Sequence, residues 1–263
     1  VMPEGRMRSS LVAQSWVQAG RLLIEWRRER AVLVGSLIVP VCLLFVYVVV
    51  LDERVHKITG VASVYALVPV SAVLSGVFGA LSTSLGIAME RDSGLLSRMW
   101  VLPVHRASAL IGRLTAEAVR ALLGTVLITA LGLAMGLRFT YGWATVLVYV
   151  LIPTVMVVGF AALVMAFAIR TNGVALMTWL AAGTVALAFL NPGTTPIMLY
   201  PDWLRPFVRV QPMSAPIEAM WGLAHGGPLV RPLAMTIAWA MVLLAVSVPL
   251  AVRGYRRAAE SSA

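Results

Sequence analysis

The residues best suited to chemistry in this 263-residue chain are few, and they stand apart from one another. Its three histidines are His56, His105 and His225, its lone cysteine is Cys42, and its only lysine is Lys57. Nucleophilic catalysis needs a serine or cysteine within hydrogen-bond reach of a base. Inside a membrane that would mean a Ser-His pair or paired aspartates within an apolar span, yet the histidines and Asp52, Asp92 and Asp202 all fall outside the long apolar blocks. A P-loop requires G-x-x-x-x-G-K-[ST], because its backbone N–H groups and its lysine hold the phosphates. Lys57 is followed by Ile58, so that ATP site is excluded. A single cysteine permits neither an intrachain disulfide nor a cysteine metal cluster. The residues therefore assign no catalytic group, metal or cofactor to this chain.

The elements that would have to position such groups are visible in the charge pattern. The chain is 60% hydrophobic and only 12% charged, about half the usual share of charge for a soluble domain. Asp, Glu, Lys, Arg and His are absent from 31–51, 61–89, 121–137, 143–169, 174–190 and 232–252, together about half of the chain. Because a crossing needs about 20 residues, the expected fold is an all-α polytopic membrane protein of one domain, 1–263, with six transmembrane helices. The third should start earlier, so the spans are placed at 31–51, 61–89, 114–137, 143–169, 174–190 and 232–252. The longer second and fourth spans call for tilt or for kinks at Pro69 and Pro153. The first 30 residues are too polar for a signal peptide, so span 31–51 is expected to be retained.

Net charge is +10, from 20 arginines and one lysine. Because this charge flanks apolar spans, it is read as membrane topology rather than nucleic-acid binding. Fifteen of the 21 basic residues lie in the N-terminal segment, between spans two and three, at Arg170 or in the tail 253–263. The positive-inside bias then places both termini and the 90–113 loop in the cytoplasm of a plasma-membrane protein.

Four features outside the spans carry further information. Residues 8–30 have a helical amphipathic pattern, with Val12, Trp16, Ala19, Leu23 and Trp26 on one face and Gln14, Gln18, Arg21, Glu25 and Arg28 on another. Such a helix either lies in the membrane interface or packs on a cytoplasmic subunit. The loop 90–113 mixes Glu90, Arg91, Asp92 and Arg98 with Leu95, Leu96, Met99 and Trp100. A merely solvated loop has no reason to carry that apolar patch, which implies a docking surface. Segment 191–231 and the residue after it hold eight of the fourteen prolines, so it should form broken helices that fold back on the membrane. Glu117 and Arg120, three apart on one helix face, read as an interfacial ion pair or as a coupling element. Gly132 and Gly136 form a GxxxG, assigned to packing within the protomer.

This order of parts resembles the ABC-2 family of ABC-transporter permeases over about 11–257, and within it the daunorubicin-resistance and phthiocerol dimycocerosate exporter type. The resemblance rests on Glu90-Arg91, Gly94, Leu95-Leu96-Ser97-Arg98 and Leu102-Pro103-Val104-His105-Arg106-Ala107-Ser108. Beyond the loop it rests on Trp203-Leu204-Arg205-Pro206-Phe207-Val208 and Gln211-Pro212-Met213-Ser214. It implies a half-transporter that pairs with a second permease, identical or paralogous, and docks a separate ATPase, which holds ATP and Mg. The docking residues would be Glu90, Arg91, Asp92, Arg98, Met99 and Trp100, supported by Trp16, Arg21, Trp26 and Arg28 of the interface helix. The family expectation that spans two and five flank the cargo path carries over to Tyr65, Val68, Ser71, Ser75 and Phe78, and to Thr178, Trp179 and Phe189. An apolar or amphiphilic cargo, a complex lipid or a hydrophobic drug, is expected because the spans offer no charge to an ionic one. The rivals are a proton-coupled transporter, which needs ionisable residues inside the spans, a structural membrane subunit, and an intramembrane enzyme.

Overall fold

The computed structural model describes residues 11–28, 38, 40–46, 48, 49, 62–92, 106–168 and 173–260. Among them every regular element is helical: α1 (Leu11–Arg28), α2 (Val64–Asp92), α3 (Arg106–Ala134), α4 (Ala144–Ala168) and α5 (Gly173–Phe189) come first. A 3₁₀ turn (Ile197–Leu199), α6 (Arg205–Val210), α7 (Ser214–Trp221), one π-helical turn (Gly222–Gly226) and α8 (Val230–Glu260) follow. The prolines break the stretch between α5 and α8 into these short pieces.

Four helices are long and apolar enough to cross a bilayer, at Val64–Thr83, Leu110–Ala134, Ala144–Ala168 and Val230–Ala251. Of the six expected crossings, the fifth corresponds to the shorter α5, and the first falls mainly outside the described residues. Helix α3 begins at Arg106 rather than near Leu114, and α2 runs to Asp92. Both ends of the 90–113 loop are therefore helical, and its central residues, Arg98, Met99 and Trp100 among them, lie outside the described residues.

Helix α4 is the hub, packing on α2, α3 and α8, while α1 lies along α3. In the α2 span 83% of the residues are buried, against 17% in the α8 span, so α2 is the inner helix and α8 a peripheral one. Between α2, α3, α4 and α7 the core is filled by Val68, Val73, Ile128, Tyr149, Val157 and Met220. Apolar burial gives little drive between helices in lipid, so close packing at small residues matters more. Gly132 is such a place, since a Cβ there would stand 2.6 Å from Val68 Cγ2. Gly136 has a different role: at φ 105° it ends α3. Leu137 N–H donates to Gly132 O at 2.8 Å and Gly136 N–H to Leu133 O at 3.2 Å, a Schellman cap that favours glycine.

Candidate functional site

Three charged side chains lie within the apolar stretch of α3, Arg113, Glu117 and Arg120, of which Glu117 is fully buried and the two arginines nearly so. Arg120 Nη2 meets Glu117 Oε2 at 2.5 Å, and Arg120 Nε donates to the same oxygen at 3.0 Å. Helix α2 completes the arrangement. The Thr83 hydroxyl donates to Glu117 Oε1, and Arg120 Nη2 also donates to the Gly76 carbonyl at 3.0 Å. One sequence expectation is thereby corrected: a stretch long and apolar enough to cross a bilayer does contain ionisable residues. The Glu117–Arg120 ion pair is buried between α2 and α3. Burial is tolerated because α2 supplies the hydrogen-bond partners that hydrocarbon lacks, and because the two charges cancel.

Gly79 makes room for the guanidinium. A Cβ there would fall 1.4 Å from Arg120 Nη1 and 1.9 Å from Cζ. The guanidinium is the flexible end of its side chain, but it can move only by leaving Glu117 or Gly76. Gly79→Ala is therefore expected to lower stability by about 3 kcal/mol. Thermal unfolding of the purified chain checks this, and an unchanged Tm would mean the guanidinium has room to shift.

Above this clamp, α1 is seated on α3 through Ala19, Leu22 and Trp26, which cluster with Ala116. Ser15 joins the buried face, while Val12 and Trp16 are exposed, Trp16 by 70%. The expected apolar stripe is thus divided, because Gly112 lets α3 approach the Ser15 side of the helix: a Cβ on Gly112 would stand 2.6 Å from Gln18 Cβ. One apolar face is held by protein, and the other, with Val17 and Ile24, is exposed. Arg21 is exposed as well, and Arg28 ends the helix. Glu90, Arg91 and Asp92 form the last turn of α2.

The expected pathway residues separate into groups. Ser71, Phe78 and Phe189 come together around an apolar cavity of about 210 Å³ between α2 and α5, with Leu67, Ala188 and Thr194. Ser75 and Val68 are buried in α2. Tyr65 instead makes an edge contact with His225, ring centroids 5.3 Å apart. Thr178 and Trp179 are exposed on α5, Trp179 by 76%, away from that cavity.

The broken segment is tied to the end of α5, whose last carbonyls would otherwise lack partners. Asn191 Nδ2 donates to Ala188 O, Tyr200 O–H to Phe189 O at 3.0 Å, and Gln211 Nε2 to Leu190 O. Trp239 of α8 holds the far side, its Nε1–H donating to Val210 O at 2.7 Å.

Bilayer-length helices around an inner α2, an amphipathic helix seated on α3 and a proline-broken segment before the last span define a multi-pass membrane protein of the permease kind. The chain belongs to the ABC-2 type transporter family, which it matches over residues 13–223. It is 35% identical over 248 residues to the probable doxorubicin resistance ABC transporter permease protein DrrC of Mycobacterium tuberculosis. That match covers 94% of this chain and 90% of the relative, and recurs for the same protein in a second strain.

Proposed function

We propose that this chain is the permease subunit of an ATP-driven exporter that moves an apolar or amphiphilic cargo, a complex lipid or a hydrophobic drug, across the plasma membrane. The likeness along nearly the whole chain to a permease described by doxorubicin resistance carries this reading. In it, a separate ATPase binds ATP and Mg, a second permease completes the membrane unit, and both termini are cytoplasmic. The ATPase docks on the end of α2 and the residues after it, Glu90, Arg91, Asp92, Arg98, Met99 and Trp100, next to α1. Its movement reaches the spans by two routes that meet: α1 bears on α3, and α3 is clamped to α2 by Glu117, Arg120 and Thr83. A change of state requires contacts that differ between the states, and the cavity between α2 and α5 is where such a change would open or close a path.

The purified chain alone should hydrolyse no ATP. Cells expressing it with its ATPase and partner permease should retain less doxorubicin than cells lacking any one component. Hydrolysis by the chain alone, or efflux indifferent to the ATPase, would remove the proposal. Within that complex, Arg98→Glu or Trp100→Ala should weaken capture of the ATPase, whereas Arg138→Glu, beyond the other end of α3, should leave it unchanged.

A further inference from the structure

The segment between α5 and α8 forms, with the start of α2, a second and larger pocket of about 600 Å³. None of the pathway residues expected from the sequence lines it. Its volume lies within the range of small-molecule sites, which combine apolar walls with a few placed polar groups. Here the walls are Ala62, Ala66, Ile197, Met198, Ile217 and Trp221, and the charged or titratable residues are Arg205, Arg209, Glu218 and His225.

These groups are not equivalent. Arg205 is committed to the fold: its Nε donates to Tyr200 O and its Nη2 to Met198 O, both at 2.9 Å, and its Nη1 lies 2.5 Å from Asp202. Arg209 has no hydrogen-bond or salt-bridge partner among the described residues, and it lines the same pocket. Glu218 is half-buried on α7. Burial pushes its carboxyl above the usual carboxylate range, and the charges of Arg231 and Arg209 oppose that rise. His225 is packed against the rings of Tyr65 and Trp221, the latter 5.0 Å away, and so adds to the aromatic wall. With Arg205 offset by Asp202, the arginines Arg209 and Arg231 outnumber the single carboxylate of Glu218. The local field is positive. It favours an anionic group and opposes a cationic one.

We propose that this pocket binds an amphiphile with an anionic head, the head on the Arg209 guanidinium and the alkyl part against Ala66, Ile197, Met198 and Ile217. A guanidinium suits a carboxylate or a phosphate alike, because both accept its forked donors. The head can therefore belong to a free fatty acid or to an anionic bilayer lipid. Treating the occupant as cargo rests on the exporter reading, whereas binding itself does not. The pocket thus adds an anionic amphiphile to the candidate cargoes, beside a hydrophobic drug such as doxorubicin, whose protonated amine this field opposes and whose path would be the cavity between α2 and α5.

The test uses the full chain in phosphatidylcholine nanodiscs and a diazirine-bearing palmitic acid, cross-linked by light and located by peptide mass spectrometry. Labelling should fall in 192–198 and 217–221. Oleate should compete, and methyl oleate and oleylamine should not. Arg209→Gln should reduce labelling about tenfold, the loss of one charge-assisted contact, Arg209→Lys should keep most of it, and Glu218→Gln should increase it. Competition by added phosphatidylglycerol would support the pocket with a bilayer lipid as its source; competition by oleate alone would support it with a free amphiphile. Equal competition by the ester or the amine, or unchanged labelling in Arg209→Gln, overturns the proposal. Labelling as expected in a chain that fails to export with its ATPase would instead leave the pocket standing and remove the exporter reading.

Discussion

Glu117→Leu should be the most damaging single substitution in the spans, lowering stability by about 3–5 kcal/mol. It leaves the Arg120 guanidinium buried against Gly79 with its main partner gone, and a guanidinium stays charged under all ordinary conditions. Arg120→Met should be milder, about 1–3 kcal/mol, because a carboxyl, unlike a guanidinium, is a group that a buried site can hold in neutral form, and Thr83 remains beside it. The double variant Glu117→Leu/Arg120→Met should return to within about 1 kcal/mol of the parent, since replacing a buried pair by apolar groups of similar size is often neutral. Thermal unfolding of the three proteins in nanodiscs gives the ranking. A double variant as unstable as Glu117→Leu would show that the pair is needed for more than its own neutrality, and equal effects of the two single changes would contradict the charge argument.

Gly112→Leu should detach α1 and abolish ATPase-driven transport while leaving the spans assembled. The Cβ it introduces would lie 2.6 Å from Gln18 Cβ and 2.9 Å from the Ser15 carbonyl oxygen. The second of these is backbone, which cannot swing aside as a side-chain tip can. The helix must lift, and Leu22 and Trp26 lose their seat, about 2–4 kcal/mol of local packing. Gly20→Leu is the matched control, because a Cβ at Gly20 meets nothing within 4 Å. The readouts are cross-linking of α1 to α3 through engineered cysteines, and efflux with the ATPase present. Transport that survives the loss of α1 contact would exclude α1 from the proposed coupling route.

What could be read from the sequence divides along the range of the interactions involved. Four of the six expected spans were legible because scarcity of charge is a local property of each stretch, and helix α2, Val64–Asp92, largely overlaps the block 61–89. Glu117 and Arg120 were legible as neighbours, since helical spacing alone puts three-apart residues on one face. Their setting was not. Thr83, Gly76 and Gly79 come from another helix, far away in the chain, and no periodicity links them to α3. The periodicity of α1 did not mark Ser15 as buried for a similar reason: its burial depends on the missing side chain of Gly112. Arg209, Glu218, Trp221 and His225 could not be linked to one another because they lie on separate short pieces whose arrangement the prolines permit but do not dictate. The one available signal was the density of charged and aromatic residues among those prolines.

The seat of the broken segment on α5 has a consequence for where the protein meets its surroundings. Helix α5 has 17 residues, about 26 Å of rise, which is short of the roughly 30 Å of hydrocarbon in a bilayer. Its terminal carbonyls bond Asn191, Tyr200 and Gln211 instead of water, so the helix can stop before it reaches the headgroups. The polar surface on that flank is then sunk below the neighbouring lipid, and acyl chains can adjoin the doorway beside α5. A molecule dissolved in the adjoining leaflet would enter or leave sideways there without ever being wetted.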